Sequence, residues 1–333
     1  MDNKELIKLI VDHHNGTVAG NYSTADARES IRQALVELNG GSTKLDYRAI
    51  RDGKCQGLFT LIEEAVTQTV LEGLGEDNPL FKYVEQRNLA EGDTPIFKVK
   101  DNSLFVVADV ANGTQALRRQ RALPGQVITV TTTRKGIAIY EELDRILGGK
   151  VDINELIDKA AQSFEKAITE AMYNGVQAAF AKKATPYKVS GAFAEDKLIE
   201  LIDHVEATTG ETAVVLGSKQ AVRKITGIKG AEATSAKEDL YSMGYYGHIG
   251  ENPVIAMKNA HKVGTDTFVL DPNKLYVVAT DDQFVKFVNE GETLIIPVMP
   301  EENADLTQEY KMFAKFGVAV VFADKGAAVY ELA

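Results

Sequence analysis

From Val151 to Lys183 the chain repeats one spacing without interruption. Apolar or small residues fall at Ile153, Leu156, Ile157, Ala160, Ala161, Phe164, Ala167, Ile168, Ala171, Met172, Gly175, Val176, Ala179 and Phe180. These steps of three and four trace one face of an α-helix. A helix of that length spans roughly 45 Å, well beyond the average globular helix of about 11–12 residues. Its stripe is wide and rich in small side chains, unlike the narrow seam of a coiled coil. It suits a scaffold helix with a sheet laid along one face.

The flanking segments supply strands. Upstream, Pro95–Lys100 (PIFKVK) and Ser103–Val110 (SLFVVADV) flank Asp101-Asn102 and predict a hairpin. A polar stretch, Ala111 to Gly125, separates them from Val127–Thr133 (VITVTTT), whose β-branched run predicts a strand. Three helices precede all of these, over Asn3–His14, from Ser23 as N-cap to about Leu38, and over Gln56–Gly73. Downstream the pattern alternates. Helices are predicted at Ala194–Ala207 and at Ser218–Thr226, with Ser218 as N-cap. Strands are predicted at Ala213–Leu216, Val254–Met257, Thr267–Leu270, Leu275–Ala279, Tyr310–Phe322 and Ala327–Leu332. Gly230–Glu251, with Tyr241, Tyr245 and Tyr246, reads as loop-rich. The fold class is α+β, and 333 residues suit about two domains.

Charge is distributed unevenly. The whole chain carries −11, which disfavours binding nucleic acid through its average field. Residues 92–136 are the exception, with seven basic side chains (Lys98, Lys100, Arg118, Arg119, Arg121, Arg134, Lys135) against three acidic ones (Asp93, Asp101, Asp109). The Arg118-Arg119-Gln120-Arg121 run has three readings: a solvated loop tip, a nucleic-acid contact, or a contact with an acidic surface on a neighbouring copy. No aromatic residue interleaves the run, as single-strand binding favours. A basic segment on an acidic body points to the third reading, because copies of like net charge need a local patch of opposite sign to set register. The acidic stretch Glu301, Glu302, Asp305 and Glu309 is the candidate partner.

Catalytic motifs are sparse. The single cysteine, Cys55, makes neither an internal disulfide nor a cysteine-rich zinc site, and it reads as a small buried hydrophobe. There is no phosphate-cradling glycine loop, no H-E-x-x-H and no nucleophile elbow. Asp12-His13-His14 resembles the name-giving motif of the DHH phosphoesterases, but the further acidic motif that precedes it in that family has no counterpart here. Histidines at a helix C-terminus complement its dipole, which is the plainer reading. The N-terminus lacks a signal-peptide pattern, and no apolar run reaches the roughly 18 residues of a membrane span. The expectation is a soluble protein made in a reducing cytosol.

The order of elements resembles the major capsid proteins of the Hong Kong 97 fold, found in tailed phages and in encapsulins. The likeness covers about residues 56 to 333. Val127–Tyr140 (VITVTTTRKGIAIY) with Glu141-Glu142-Leu143 is similar to the strand leading into that family's spine helix, and Val151–Lys183 to the spine. Tyr246–Val254 (YGHIGENPV) is similar to the start of an axial-domain strand, while Ala314–Val321 and Ala327–Leu332 are similar to the family's C-terminal strands. The resemblance implies an N-terminal helical arm (1–90), an extended hairpin or E-loop (91–126), a peripheral domain (127–187 and 290–322, with the spine at 151–183) and an α/β axial domain (188–289 and 323–333).

It further implies a structural shell subunit with no catalytic, cofactor or metal site. Copies would assemble into pentamers and hexamers of an icosahedral shell around double-stranded DNA, made in the host cytoplasm and carried in the virion. Portal, scaffold or decoration proteins would be its other partners, with no membrane. Lys98, Lys100, Arg118, Arg119, Arg121, Glu301, Glu302, Asp305 and Glu309 are the candidate subunit-interface residues. Some members join lysine to asparagine between subunits. Lys98, Lys100, Asn289 and Asn303 are the residues that could, and no such bond is expected. The alternatives are an encapsulin-type compartment and, from Asp12-His13-His14, a metal-dependent phosphoesterase.

Overall fold

The computed structural model describes residues 3–14, 24–38, 41–42, 52, 57, 60–61, 64, 78–99, 105–109, 119–121, 125–140, 153–229, 233–262, 264–280, 283–291, 294–298, 309–322 and 326–333. Helices α1 (Asn3–His14) and α2 (Thr24–Leu38) touch each other. Leu6, Ile7, Ile10 and Val11 are buried along one face of α1, and Ala27 and Ile31 along one face of α2, as the three-and-four spacing requires. Of the helix expected at Gln56–Gly73, Gly57, Thr60, Leu61 and Glu64 are helical and the remainder lies outside the described residues. Cys55 also lies outside them.

A 3-10 turn, Pro79–Tyr83, opens the sheet region, its first turn capped by the Asn78 side chain, which accepts from the Leu80 N–H. The strands that follow are β1 (Val84–Leu89), β2 (Ile96–Val99), β3 (Gln126–Thr129) and β4 (Thr133–Tyr140). The spine is α3 (Ile153–Ala181). Beyond it come β5 (Lys188–Gly191), α4 (Glu195–Thr209), β6 (Ala213–Ser218), α5 (Lys219–Val222), α6 (Thr234–Ser242), β7 (His248–Ile249), β8 (Asn252–Met257) and β9 (Lys274–Ala279). The chain closes with β10 (Val285–Glu290), β11 (Leu294–Val298), β12 (Glu309–Val320) and β13 (Ala327–Leu332). Among the described residues no helix is long and apolar enough to cross a membrane.

These strands form two main sheets and a separate ribbon. One sheet runs β1-β10-β12-β11, with β4 also on β12. Both β4 and β11 pair with Glu309–Phe313 of β12, so they flank it on opposite edges. The second sheet runs β5-β13-β9-β6-β8-β7, and β2 pairs with β3 alone. Ile168, Met172, Tyr173, Val176 and Phe180 of the spine enter one buried cluster with Phe287 and Phe316 of the first sheet and Tyr276, Val278 and Val329 of the second. The spine therefore ties the two sheets together. Each large apolar side chain buried there contributes about 1.5–3 kcal/mol. Along β6, Val214 and Leu216 face that cluster. Ala213 and Val215 face the opposite one, where Leu198, Leu201, Ile202 and Val205 of α4 pack. The period-two alternation of a strand covered on both faces is satisfied.

Several expectations need correction. The predicted run Val127–Thr133 is not one strand: it breaks into β3 and β4, with Val130–Thr132 between them. The partner of β2 is not Ser103–Val110. Residues 105–109 form no strand, and Ile96–Val99 instead pairs antiparallel with Gln126–Thr129, so the two legs of the ribbon are some thirty residues apart. Thr267–Leu270 contributes one bridge, His261 to Phe268, in place of a strand. The helix after Ser218 is shorter than predicted, ending at Val222, although Ser218 does cap it by accepting from the Ala221 N–H. Helix α6 lies within the stretch expected to be loop-rich. Strands β1, β5, β7, β10 and β11 are additional. β1 falls within the residues assigned to the arm, and β10 pairs into the first sheet, so sheet membership changes between Ala279 and Val285.

Candidate assembly surface

The two legs of the β2–β3 ribbon leave the first sheet side by side. On the outgoing leg, Gly92 donates its backbone N–H to Glu290 Oε1 at 3.0 Å. On the return leg, Thr132 donates its hydroxyl to Glu290 Oε2. Lys315, on β12, donates to Oε1 at 2.6 Å. The Lys315 ammonium, with the Thr132 hydroxyl and the Gly92 N–H, holds the Glu290 carboxyl down at about 2. Glu290 is 5 % exposed, an environment a carboxylate tolerates only when paired and hydrogen-bonded.

Above this carboxylate sits a small apolar core. Phe97 packs with Val130 and Val288, with Leu89 and Ala319 at its edge. The Arg87 guanidinium lies over the Phe97 ring, 4.3 Å from its centroid, and donates to the Ile96 carbonyl oxygen at 2.9 Å. Lys286 lies over the same ring at 5.8 Å and pairs with Glu85 at 2.5 Å. The Val130 N–H donates to the Pro95 carbonyl oxygen, joining the two legs. A more exposed pair, Arg134 with Glu91 at 2.7 Å, links the outgoing leg to β4.

Farther along the chain, the described residues 105–109 and 119–121 are exposed. Phe105, Val106 and Val107 are 58 %, 74 % and 94 % exposed. The Gln120 side-chain amide pairs with Val106 like a strand partner, accepting from its N–H at 2.8 Å and donating to its carbonyl oxygen at 2.7 Å. That contact sets Arg119 and Arg121, both exposed, on either side of the pairing residue. Lys98 is exposed on β2. Lys100, Arg118, Glu301, Glu302, Asp305 and Asn303 lie outside the described residues. The Glu309 backbone opens β12 opposite Tyr140 and Val298, and its side chain is outside the described set. Asn289 is half-buried on β10. The structure thus sets Arg119 and Arg121 beside the exposed Val106 through Gln120, and residues 301–305, expected as an acidic partner, lie outside the described residues.

Of the Asp12-His13-His14 motif, the two histidine side chains are outside the described set. Among the described residues no group of three or more His, Cys, Asp or Glu could hold a metal ion.

Over residues 8–329 the chain matches the family model described as "SPbeta prophage-derived putative capsid protein YonB". It belongs to that family. No curated protein sequence matches it. Among solved structures, it is similar to the satellite phage P4 procapsid, with a TM-score of 0.50 at 11 % identity over 80 % of this chain and 90 % of that one. A virus-like particle from Pyrococcus furiosus aligns at TM-score 0.45 and 13 % identity, over 80 % of this chain and 98 % of that one. The Gordonia phage Cozz structure aligns at 0.44 and 14 %, over 78 % and 88 %. The P4 likeness gives the fold, a Hong Kong 97-type capsid fold, and the family gives the role, a structural capsid shell protein.

The root of the capsid protein's hairpin has no signal in the sequence. Glu290 ends a strand whose neighbours, Lys286 and Asn289, are only half-buried, so by pattern it reads as a surface residue. Its three partners come from positions 92, 132 and 315, and no local spacing links them.

Proposed function

We propose that copies of this chain assemble into pentamers and hexamers of an icosahedral phage shell that encloses double-stranded DNA. Assembly takes place in the host cytoplasm, alongside portal, scaffold or decoration proteins. The five-stranded sheet and spine act as the peripheral domain and the six-stranded sheet as the axial domain. The observation that carries the reading is the exposed Phe105–Val107 run, held beside Arg119 and Arg121 in a capsid-family chain. Contiguous exposed apolar side chains mark surfaces that are covered in the working assembly. Basic neighbours favour an acidic surface on the adjoining copy as the cover. Many such contacts, each modest, close a shell through avidity. An acidic wall also avoids gripping the packaged polymer, and the shell has no catalytic task.

Electron microscopy of the purified protein tests this. Closed particles of uniform diameter are expected, and a monomer that forms no particles at high concentration would reject the reading. Particles isolated from producing cells should contain double-stranded DNA; an enclosed enzyme in its place would make the chain an encapsulin. The shell is held without covalent links, so particles boiled in detergent should run as one band near 36.3 kDa.

A further inference from the structure

Glu290 and Ser218 are the buried polar side chains among the described residues. Ser218 caps a helix, whereas Glu290 has no such local task. Its carboxylate instead gathers three distant points: the outgoing leg at Gly92, the return leg at Thr132 and strand β12 at Lys315. The return leg also crosses β12 closely. A Cβ built on Gly317 would lie 2.5 Å from the Thr131 carbonyl oxygen and 3.0 Å from Val130 Cγ1, so only glycine leaves room for the crossing. Between β3 and β4 the backbone therefore abandons the ladder at the residues that pass over Gly317 and reach Glu290.

We propose that Glu290 is a positioning residue that fixes the direction in which the 92–132 segment leaves the sheet, so that its apolar and basic span meets a second copy of this chain at one angle. This rests on the shell reading above. One carboxylate is suited to the task because each oxygen accepts from a different leg while Lys315 balances the charge. The other charged groups at the root are already engaged elsewhere: Glu85 with Lys286 and Arg87, and Glu91 with Arg134. Among the described residues Glu290 is the charged side chain that bonds to both legs and to the sheet, beside the apolar contact of Phe97, Val130 and Val288.

The test is hydrogen exchange on unassembled subunits. In Glu290→Ala, the amides of Gly92 and Val130 should exchange about tenfold faster, with the spine amides 160–180 unchanged. The yield of closed particles should fall in parallel. A change at the legs below about twofold would overturn the proposal. So would an equal rise in legs and spine, because Glu290 would then only stabilise the whole subunit. Should that variant fail to fold, Thr132→Val removes one arm and keeps the Glu290–Lys315 pair. It should free Val130 while Gly92 stays protected, and protection retained at both legs would overturn the proposal. If the wild-type protein forms no particles, the shell reading fails while the exchange result still stands or falls by itself.

Discussion

The Tyr173 hydroxyl, on the spine helix, donates to the Lys258 carbonyl oxygen 2.5 Å away. The same hydroxyl accepts from Asn78 Nδ2, also at 2.5 Å. One buried phenol thus joins the segment entering the first sheet, the spine, and the end of β8 in the second. Burial pushes the Tyr173 hydroxyl up to about 12, so it remains a donor at every physiological pH.

Tyr173→Phe should therefore destabilise the subunit by about 1–3 kcal/mol, since the Lys258 carbonyl and the Asn78 amide lose a buried partner. Thermal unfolding of the unassembled subunit measures it. An unchanged midpoint would mean that water replaces the hydroxyl at no cost.

The same substitution at Tyr276 should have the opposite sign. Its hydroxyl is buried with no hydrogen-bond partner among the described residues, and its ring packs 4.7 Å from that of Phe180. Phenylalanine keeps the ring and removes a desolvated hydroxyl, so Tyr276→Phe should be neutral or stabilising by about 1 kcal/mol. A loss of more than about 1 kcal/mol in the same unfolding experiment would reveal a partner for the hydroxyl.

On the spine, Phe164 is 2 % exposed, one turn before Ile168, which enters the cluster shared by the two sheets. Phe164→Ala should cost about 3–5 kcal/mol. Denaturant unfolding of the subunit gives the number, and a negligible loss would place the ring in solvent.

The spine was legible because its signal is local. The three-and-four repeat extends over the whole segment, and the helix ends within two residues of the predicted bounds, at Ile153 and Ala181. Strand β13 matches its predicted span, Ala327–Leu332, because both faces are covered and the run is almost wholly apolar. The hairpin was misread for the opposite reason. VITVTTT has strand propensity throughout, but Val130–Thr132 obeys a crossing over Gly317 and a bond to Glu290, both set by residues more than 150 positions away. Likewise β2 has β3 as its partner, although a nearer apolar run offered itself at Ser103–Val110. Tertiary contacts decide strand pairing wherever two candidate partners have similar propensity. The arginine run is visible in the sequence as a charge excess; the carboxylate at the root of the ribbon is not, because nothing in the neighbouring sequence marks Glu290 as buried.

The basic span can be tested by charge reversal. Changing Arg118, Arg119 and Arg121 together to Glu should leave the subunit folded, since Arg119 and Arg121 are exposed, and should abolish most particle formation by inverting the attraction to an acidic neighbour. Far-UV circular dichroism checks the fold and sedimentation the particles. Normal particle yield would reject the role of these arginines.

Acid should loosen the root of the hairpin. Lys315, then Thr132 and Gly92, lower the Glu290 carboxyl from 4.5 to about 2 in the folded chain. A group with a depressed folded value contributes stability that is present above its unfolded value and lost as pH falls through the folded one. Glu290 should therefore hold both legs of the hairpin at neutral pH and progressively less between pH 4.5 and 2. Glu85 shares the root. Burial raises its carboxyl, but the hydrogen bonds from Lys286 and Arg87 outweigh that and lower it overall, so it releases in a similar direction and must be separated. Glu290→Gln does so, because it removes one titration and leaves the other. The carboxyl carbon resonance of Glu290 should titrate near pH 2, and the Val130 methyl resonances should follow it in the wild type but not in Glu290→Gln. A midpoint near 4.5 would show that Lys315, Thr132 and Gly92 do not hold the carboxylate in solution, and the hairpin would then have to be fixed by the Phe97 core alone.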